Sequence, residues 1–147
     1  MALIFILIFS TLISCQMDSE FTLVKTMNKY RDKSDFEINK AVAVAIGAKP
    51  FPPERTEFKQ CEIPGLENAI IVKITGVKTG PFAPCNNPAD AMPIVFENEI
   101  CMNYIDKDIG WGARHFDEEK GELEIYDKNY YRAAMICFLM MKEAENE

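Results

Sequence analysis

The stretch Tyr130-Tyr131-Arg132-Ala133-Ala134-Met135-Ile136-Cys137-Phe138-Leu139-Met140-Met141-Lys142-Glu143 decides the fold. Its middle, Ala133 to Met141, is apolar almost all round, whereas a surface helix shows one apolar stripe. Asp127 or Asn129 stands ahead of it as a cap that can accept the first free amides. The spacing predicts a helix from Tyr130 to about Glu143, buried on most sides. The polar tail to Glu147 lies beyond the part that needs cover.

Working back from that helix gives the elements that must cover it. Leu123 to Tyr126, after Gly121, reads as a short strand. Asp106 to Gly112 reads as a turn. Pro93 to Asp106 reads as a strand, with Ile94, Phe96, Ile100, Met102 and Tyr104 on one face. Thr79 to Pro93 holds four prolines and Gly80 and reads as a long loop, which in a compact domain is functional or cross-linked. Ala69 to Val77, rich in Ile and Val, reads as another strand. Pro50 to Pro64 is an extended, irregular connection.

The N-terminal side is helical. Ser34-Asp35-Phe36-Glu37 is a capping-box pattern, and Gly47 with Pro50 supplies the stop, so a helix is expected from Asp35 to about Ile46. Phe21, Leu23, Val24, Met27 and Tyr30 recur at spacings of three and four, which predicts an earlier amphipathic helix ending near Arg31. The expected architecture is α+β: a small, mainly antiparallel sheet of about three strands, two N-terminal helices and one buried C-terminal helix.

Composition sets the outer limits. The chain has 147 residues, 48 % hydrophobic and 27 % charged, with a net charge of −7. That suits one globular domain with a real core. Nucleic acid is not an expected partner, because no Lys/Arg cluster is present to neutralise phosphates. An acidic surface suits a basic protein partner, although acidity also serves solubility alone.

Met1 to Met17 carry no charged side chain, and Ala2 to Phe9 are all apolar. The run is too short to cross a bilayer and gives way to Ser and Thr, the pattern of a signal peptide. Cuts after Ser14 or Cys15 would put Leu12 or Ile13 where an ordinary signal peptidase wants a small residue. The string Leu12-Ile13-Ser14-Cys15 resembles the lipobox of bacterial lipoproteins. The resemblance implies cleavage before Cys15, acylation of Cys15, and anchoring of the chain in a bacterial membrane. Gln16, the next residue, is compatible with sorting to the outer membrane of a diderm. On that reading residues 1–14 are a leader, 15–19 a tether and 20–147 one globular domain in the cell envelope, with a soluble secreted protein as the alternative.

Five cysteines are present: Cys15, Cys61, Cys85, Cys101 and Cys137. With Cys15 lipidated or removed, four remain, and an exported chain can pair them in three ways. Two disulfides among Cys61, Cys85, Cys101 and Cys137 are therefore expected. No C-x-x-C pair occurs and His115 is the single histidine, so no metal site or cofactor is predicted.

Candidate chemistry gathers in Gly110-Trp111-Gly112-Ala113-Arg114-His115-Phe116-Asp117. A Trp on a tight glycine turn can anchor a partner, since Trp is enriched at binding hot spots. Arg114 beside it can stack on a ring or grip a carboxylate. Trp111, Arg114 and His115 are the candidate binding residues. No nucleophile elbow, zincin or phosphate-loop motif is present, and no catalytic residue is predicted. Asp106-Lys107-Asp108-Ile109-Gly110 starts like a calcium loop, but Gly110, Trp111 and Asp117 stand where such a loop needs other residues. The leading functional reading is an envelope lipoprotein with a protein-binding or structural module, inhibitor- or immunity-like. A soluble disulfide-linked secreted protein and an enzyme using carboxylates near His115 are the alternatives.

Overall fold

In a computed structural model, residues 29–146 are described. The chain divides into two units, Met1–Asp32 and Lys33–Glu147. Of the first, residues 29–31 are helical. The rest of the expected first helix, the leader and Cys15 lie outside the described residues. The second unit carries all the elements named below.

The fold is α+β. Helix α1, Asp35–Ala45, is followed by four strands: β1 (Lys49–Pro50), β2 (Lys59–Gln60), β3 (Ile70–Ile74) and β4 (Lys78–Phe82). Helix α2 (Pro88–Glu97) leads to β5 (Cys101–Asp106), β6 (Gly110–Asp117) and β7 (Gly121–Asp127). The chain then enters α3, Tyr130–Glu145. All pairings are antiparallel. In one sheet β3 is central, with β4 along one edge and the short β1 and β2 along the other; the second sheet is the meander β5-β6-β7.

Local chemistry explains the helix ends. The Ser34 hydroxyl accepts from the Glu37 amide, and the Glu37 carboxylate accepts from the Ser34 amide at 2.9 Å. Both donors would otherwise be orphaned at an N-terminus. Gly47 then adopts φ +78°, a conformation open to glycine at little cost. Asn129 caps α3 by accepting from the Tyr131 and Arg132 amides.

The core forms around α3. Every residue from Ala133 to Met141 is buried, as the all-round apolar run requires. One side of α3 packs on β6 and β7, meeting Ala113 and Ile125 on that sheet face; the helix also packs against α1 and α2. Ile38 and Val42 of α1, Ile70 and Val72 of β3, and Phe82 complete the interior. Burying one such side chain stabilises by about 1.5–3 kcal/mol. No helix among the described residues is long and apolar enough to cross a membrane.

Three expectations need correction. First, the part of the predicted strand from Pro93 to Glu97 is the second half of α2. Asn87 caps that helix and Pro88 occupies its first turn, where a missing N–H costs nothing. Pro93 sits inside the same helix and removes one ladder bond. Buried Ala91, Ile94 and Val95 hold the segment in place while Phe96 is left 72 % exposed. Helical periodicity was hidden because Ile94 and Phe96 also alternate. Second, the predicted loop from Thr79 begins as strand β4, with Thr79 opposite Lys73 and Pro81 opposite Ile71. Third, the segment after the predicted turn is the central strand β6. Its glycines look like turn residues, but only Gly110 serves that purpose, at φ +94°. Gly112 lies in the strand, roofed by the Asn103, Ile105 and Tyr126 side chains. Among the described residues the result is seven strands in two sheets rather than about three in one.

The expected disulfides are absent. Cys61, Cys85, Cys101 and Cys137 are all free thiols. Each is committed elsewhere. Cys61 packs with Ala69 and Ala83 at the foot of the first sheet. Cys85 is buried in the loop before α2, Cys137 is buried in the middle of α3, and Cys101 is exposed on β5.

Candidate functional site: an aromatic ladder beside a closed polar ring

Period-two alternation along β6 decides which side chains share a face. Trp111, Ala113 and His115 face α3, together with Met102 and Tyr104 of β5 and Leu123, Ile125 and Asp127 of β7, their partners in register. Gly112, Arg114 and Phe116 point to the opposite face with Cys101, Asn103, Glu122, Glu124 and Tyr126.

At one end of the helix-side face, four rings form a continuous ladder. Tyr104 meets Trp111 edge to face, with centroids 5.3 Å apart. Trp111 meets Tyr130 at 5.0 Å, and Tyr130 meets Tyr131 at 5.0 Å. Such T-shaped pairs satisfy the ring quadrupoles, contributing about 0.5–1.5 kcal/mol each beyond area burial. The ladder is not closed off. Tyr104 is 57 % exposed, and Trp111, Tyr130 and Tyr131 are half-buried. Trp111 is thus neither a free tip nor a sealed core residue.

The other two candidate binding residues are not part of this ladder. Arg114 lies on the opposite sheet face, where Nε donates to Glu124 at 3.0 Å and Nη1 lies 3.8 Å from Glu122. Neighbouring Glu124 holds its guanidinium in the charged form, raising its pKa. His115 is half-buried on the α3 side, paired in register with Leu123; its Nδ1 is buried and has no hydrogen-bond partner. The Asp117 carboxyl is held below the ordinary carboxylate range chiefly by the Lys120 and Glu119 amides; His115 contributes least. The Asp106 carboxylate caps its own turn, accepting from the Asp108 and Ile109 amides at 2.8 and 2.7 Å.

Beside the ladder lies a ring of polar side chains that ties four elements together. Asn39 of α1 is fully buried. It accepts from the Cys85 amide at 2.8 Å and donates to the Asn68 carbonyl at 2.8 Å and to Asn86 at 3.3 Å. Asn86 donates to Asp35, which receives Arg132 at 2.7 Å. Arg132 also reaches Asp127 at 3.1 Å and the Lys33 carbonyl at 2.7 Å. Asp127 receives the Asn129 amide, and the Asn129 side chain donates to the Cys85 carbonyl, closing the circuit. Outside the ring, the buried carboxylate of Asp90 receives Lys78 at 2.8 Å and the Ala83 amide at 2.9 Å. The buried polar residues Asn39 and Asp90 thus have their partners in place.

Cys85 sits inside this ring but is not a nucleophile. Burial first, then the Asp35 carboxylate, pushes its thiol far above the ordinary range, and Arg132 only partly offsets them. Cys137 is pushed up to about 12, again mainly by burial. The thiolate is the reactive form, so both are inert near neutral pH. Among the described residues no group of His, Cys, Asp and Glu could hold a metal ion.

The sequence reading picked out Trp111 but not its ring partners. Tyr130 and Tyr131 were legible as the start of the last helix. That Tyr104 faces Trp111 depends on the β5–β6 register. Asn39 carried a local signal: it lies three residues before Val42 and four before Ala43, on the buried stripe of α1.

Residues 29–142 match the family model described as Bacteriophage P22, NinX. No curated protein and no solved structure matches the chain. The family match overturns the reading of the chain as a bacterial lipoprotein. That reading grew from four residues and a hydrophobic run at 1–15, whereas the match spans 114 residues and nearly the whole described fold. The disulfide framework attached to it falls with the free thiols.

Proposed function

The chain belongs to the bacteriophage P22 NinX family, and on that premise we propose that it is a binding protein that docks a basic segment of a protein partner on its aromatic ladder. One observation carries the reading. Four rings, Tyr104, Trp111, Tyr130 and Tyr131, are pre-organised by edge-to-face packing yet left half-open to water. Rigid aromatic groups provide contact area at little entropic cost, and their faces attract Arg and Lys side chains. The charge balance supports the same partner: 23 acidic residues against 16 basic ones make encounter with a cationic segment favourable.

Trp111 is the single tryptophan, so its fluorescence reports on the ladder without labelling. Titrating the full chain with Arg-rich, neutral and Glu-rich peptides of equal length should shift Trp111 emission only for the first. Trp111→Ala, followed by calorimetry, should weaken that binding at least tenfold. Phe116→Ala, on the opposite sheet face, should leave it unchanged. Equal response to all three peptides, or equal loss from both substitutions, would refute the reading.

A further inference from the structure

Among the described residues each sheet has two edges, and three of the four are guarded. In the first sheet, β1 and β2 are two residues long and carry Lys49, Pro50 and Lys59. On its other side β4 carries Lys78 and Pro81. In the second sheet, β7 carries Glu122 and Glu124. Shortness, lysine, proline and like charge are the devices that keep an open edge from pairing with another chain.

The fourth edge, β5, has none of them through its first five positions. Cys101-Met102-Asn103-Tyr104-Ile105 contains no charge and no proline. Among the described residues no strand pairs with β5 beyond β6. Helix α3 packs on β6 and β7, so β5 overhangs, and Tyr104 on the helix side is 57 % exposed. Cys101 and Asn103 on the opposite face are exposed as well. Only at its far end, between Tyr104 and Asp106, does an irregular register interrupt the strand.

We propose that β5 pairs with β5 of a second copy of this chain, antiparallel about a two-fold axis through Asn103, making one six-stranded sheet. A two-fold axis perpendicular to the sheet keeps helix-side residues opposite helix-side residues. The register centred on Asn103 sets Met102 against the partner copy's Tyr104, an apolar–aromatic pair that occurs twice. It sets Asn103 against itself and Cys101 against Ile105, with no like charges opposed. Charge selects this edge over the other one. The same operation on β7, centred on Leu123, would set Glu122 against Glu124 twice, and directly opposed like charges destabilise a strand pair. The inference does not rest on the peptide-binding reading, although Tyr104 belongs to both surfaces.

Sedimentation velocity on the full chain tests it. The wild type should sediment at twice its 16.8 kDa chain mass at micromolar concentration. Asn103→Asp changes one exposed atom per copy and places two carboxylates at the axis; it should shift the population to monomer. Asn103→Lys should do the same by the opposite charge, so a misfolded first variant would not decide the matter. Mixing the two variants should restore the dimer, whereas Glu122→Gln at the other edge should leave it intact. A wild type that stays monomeric, or a dimer unmoved by both Asn103 substitutions, would overturn the proposal. Peptide binding by a monomeric Asn103→Asp form separates this outcome from failure of the ladder.

Discussion

At the scale of single residues, fully buried Asn39 places the most weight on one amide. Its side chain answers the Cys85 amide and the Asn68 carbonyl at once. Asn39→Ala leaves the buried Cys85 amide without a partner, whereas the Asn68 carbonyl, on an exposed residue, can turn to water. A buried orphan costs about 1–3 kcal/mol, so a loss of about 2 kcal/mol is expected in urea unfolding. Cysteine chemistry gives a second residue-scale outcome. Of Cys61, Cys85, Cys101 and Cys137, only Cys101 is exposed. A thiol reagent at neutral pH should modify Cys101 rapidly and reach the other three only on unfolding. Rapid native modification of Cys85 or Cys137 would contradict the burial that raises both pKa values.

At the scale of elements, the ends of α1 and α3 follow from short-range hydrogen bonds, and one of them titrates. Glu37 accepts from the Ser34 amide and hydroxyl, which holds its carboxyl below the ordinary carboxylate range. A folded pKa below the unfolded one contributes stability above the unfolded value and loses it as pH falls through the folded value. Wild type should therefore be more stable than Glu37→Gln at pH 7. The difference should shrink below about pH 4.5 and vanish once Glu37 is protonated in both states, as thermal melts across pH would record. A pH-independent difference would mean that packing, not the charged cap, distinguishes them. The elements not expected from the sequence, β4, α2 (its first half read as loop and its second as strand) and β6, depend on partners far along the chain. Strand β6 pairs on both sides, so two glycines are tolerated where an isolated strand would not hold.

At the scale of the whole unit, Arg132 joins its beginning to its end. It reaches Asp35 and the Lys33 carbonyl near the start of α1, Asp127 at the end of β7, and does so from the first turn of α3. Its side chain is 13 % exposed, so these charges are only weakly screened by water. Arg132→Ala leaves two carboxylates facing each other with their common partner gone, and should cost about 3 kcal/mol. Arg132→Lys should recover only part of it, because an ammonium cannot reproduce the planar fork of donors. Denaturant midpoints for the two variants check both the loss and its order. If Lys substitutes fully, the planar fork that reaches Asp35, Asp127 and the Lys33 carbonyl together is irrelevant.

The sequence by itself determined the α+β class, the capped start and glycine stop of α1, and a last helix that had to be enclosed on most sides. It also identified Trp111 as a residue to watch. Those features are local: a cap is settled within four residues, and an all-round apolar run needs cover whatever provides it. Tertiary structure alone decided that Gly110–Asp117 is a central strand, that Tyr104 and Tyr130 bracket Trp111 while Arg114 turns away, and that Cys61, Cys85, Cys101 and Cys137 remain free thiols. Strand pairing joins residues by register rather than by proximity in sequence, and a one-residue shift exchanges the two faces. The family match, which overturned the reading drawn from the first fifteen residues, falls on the part of the chain where that folded structure lies.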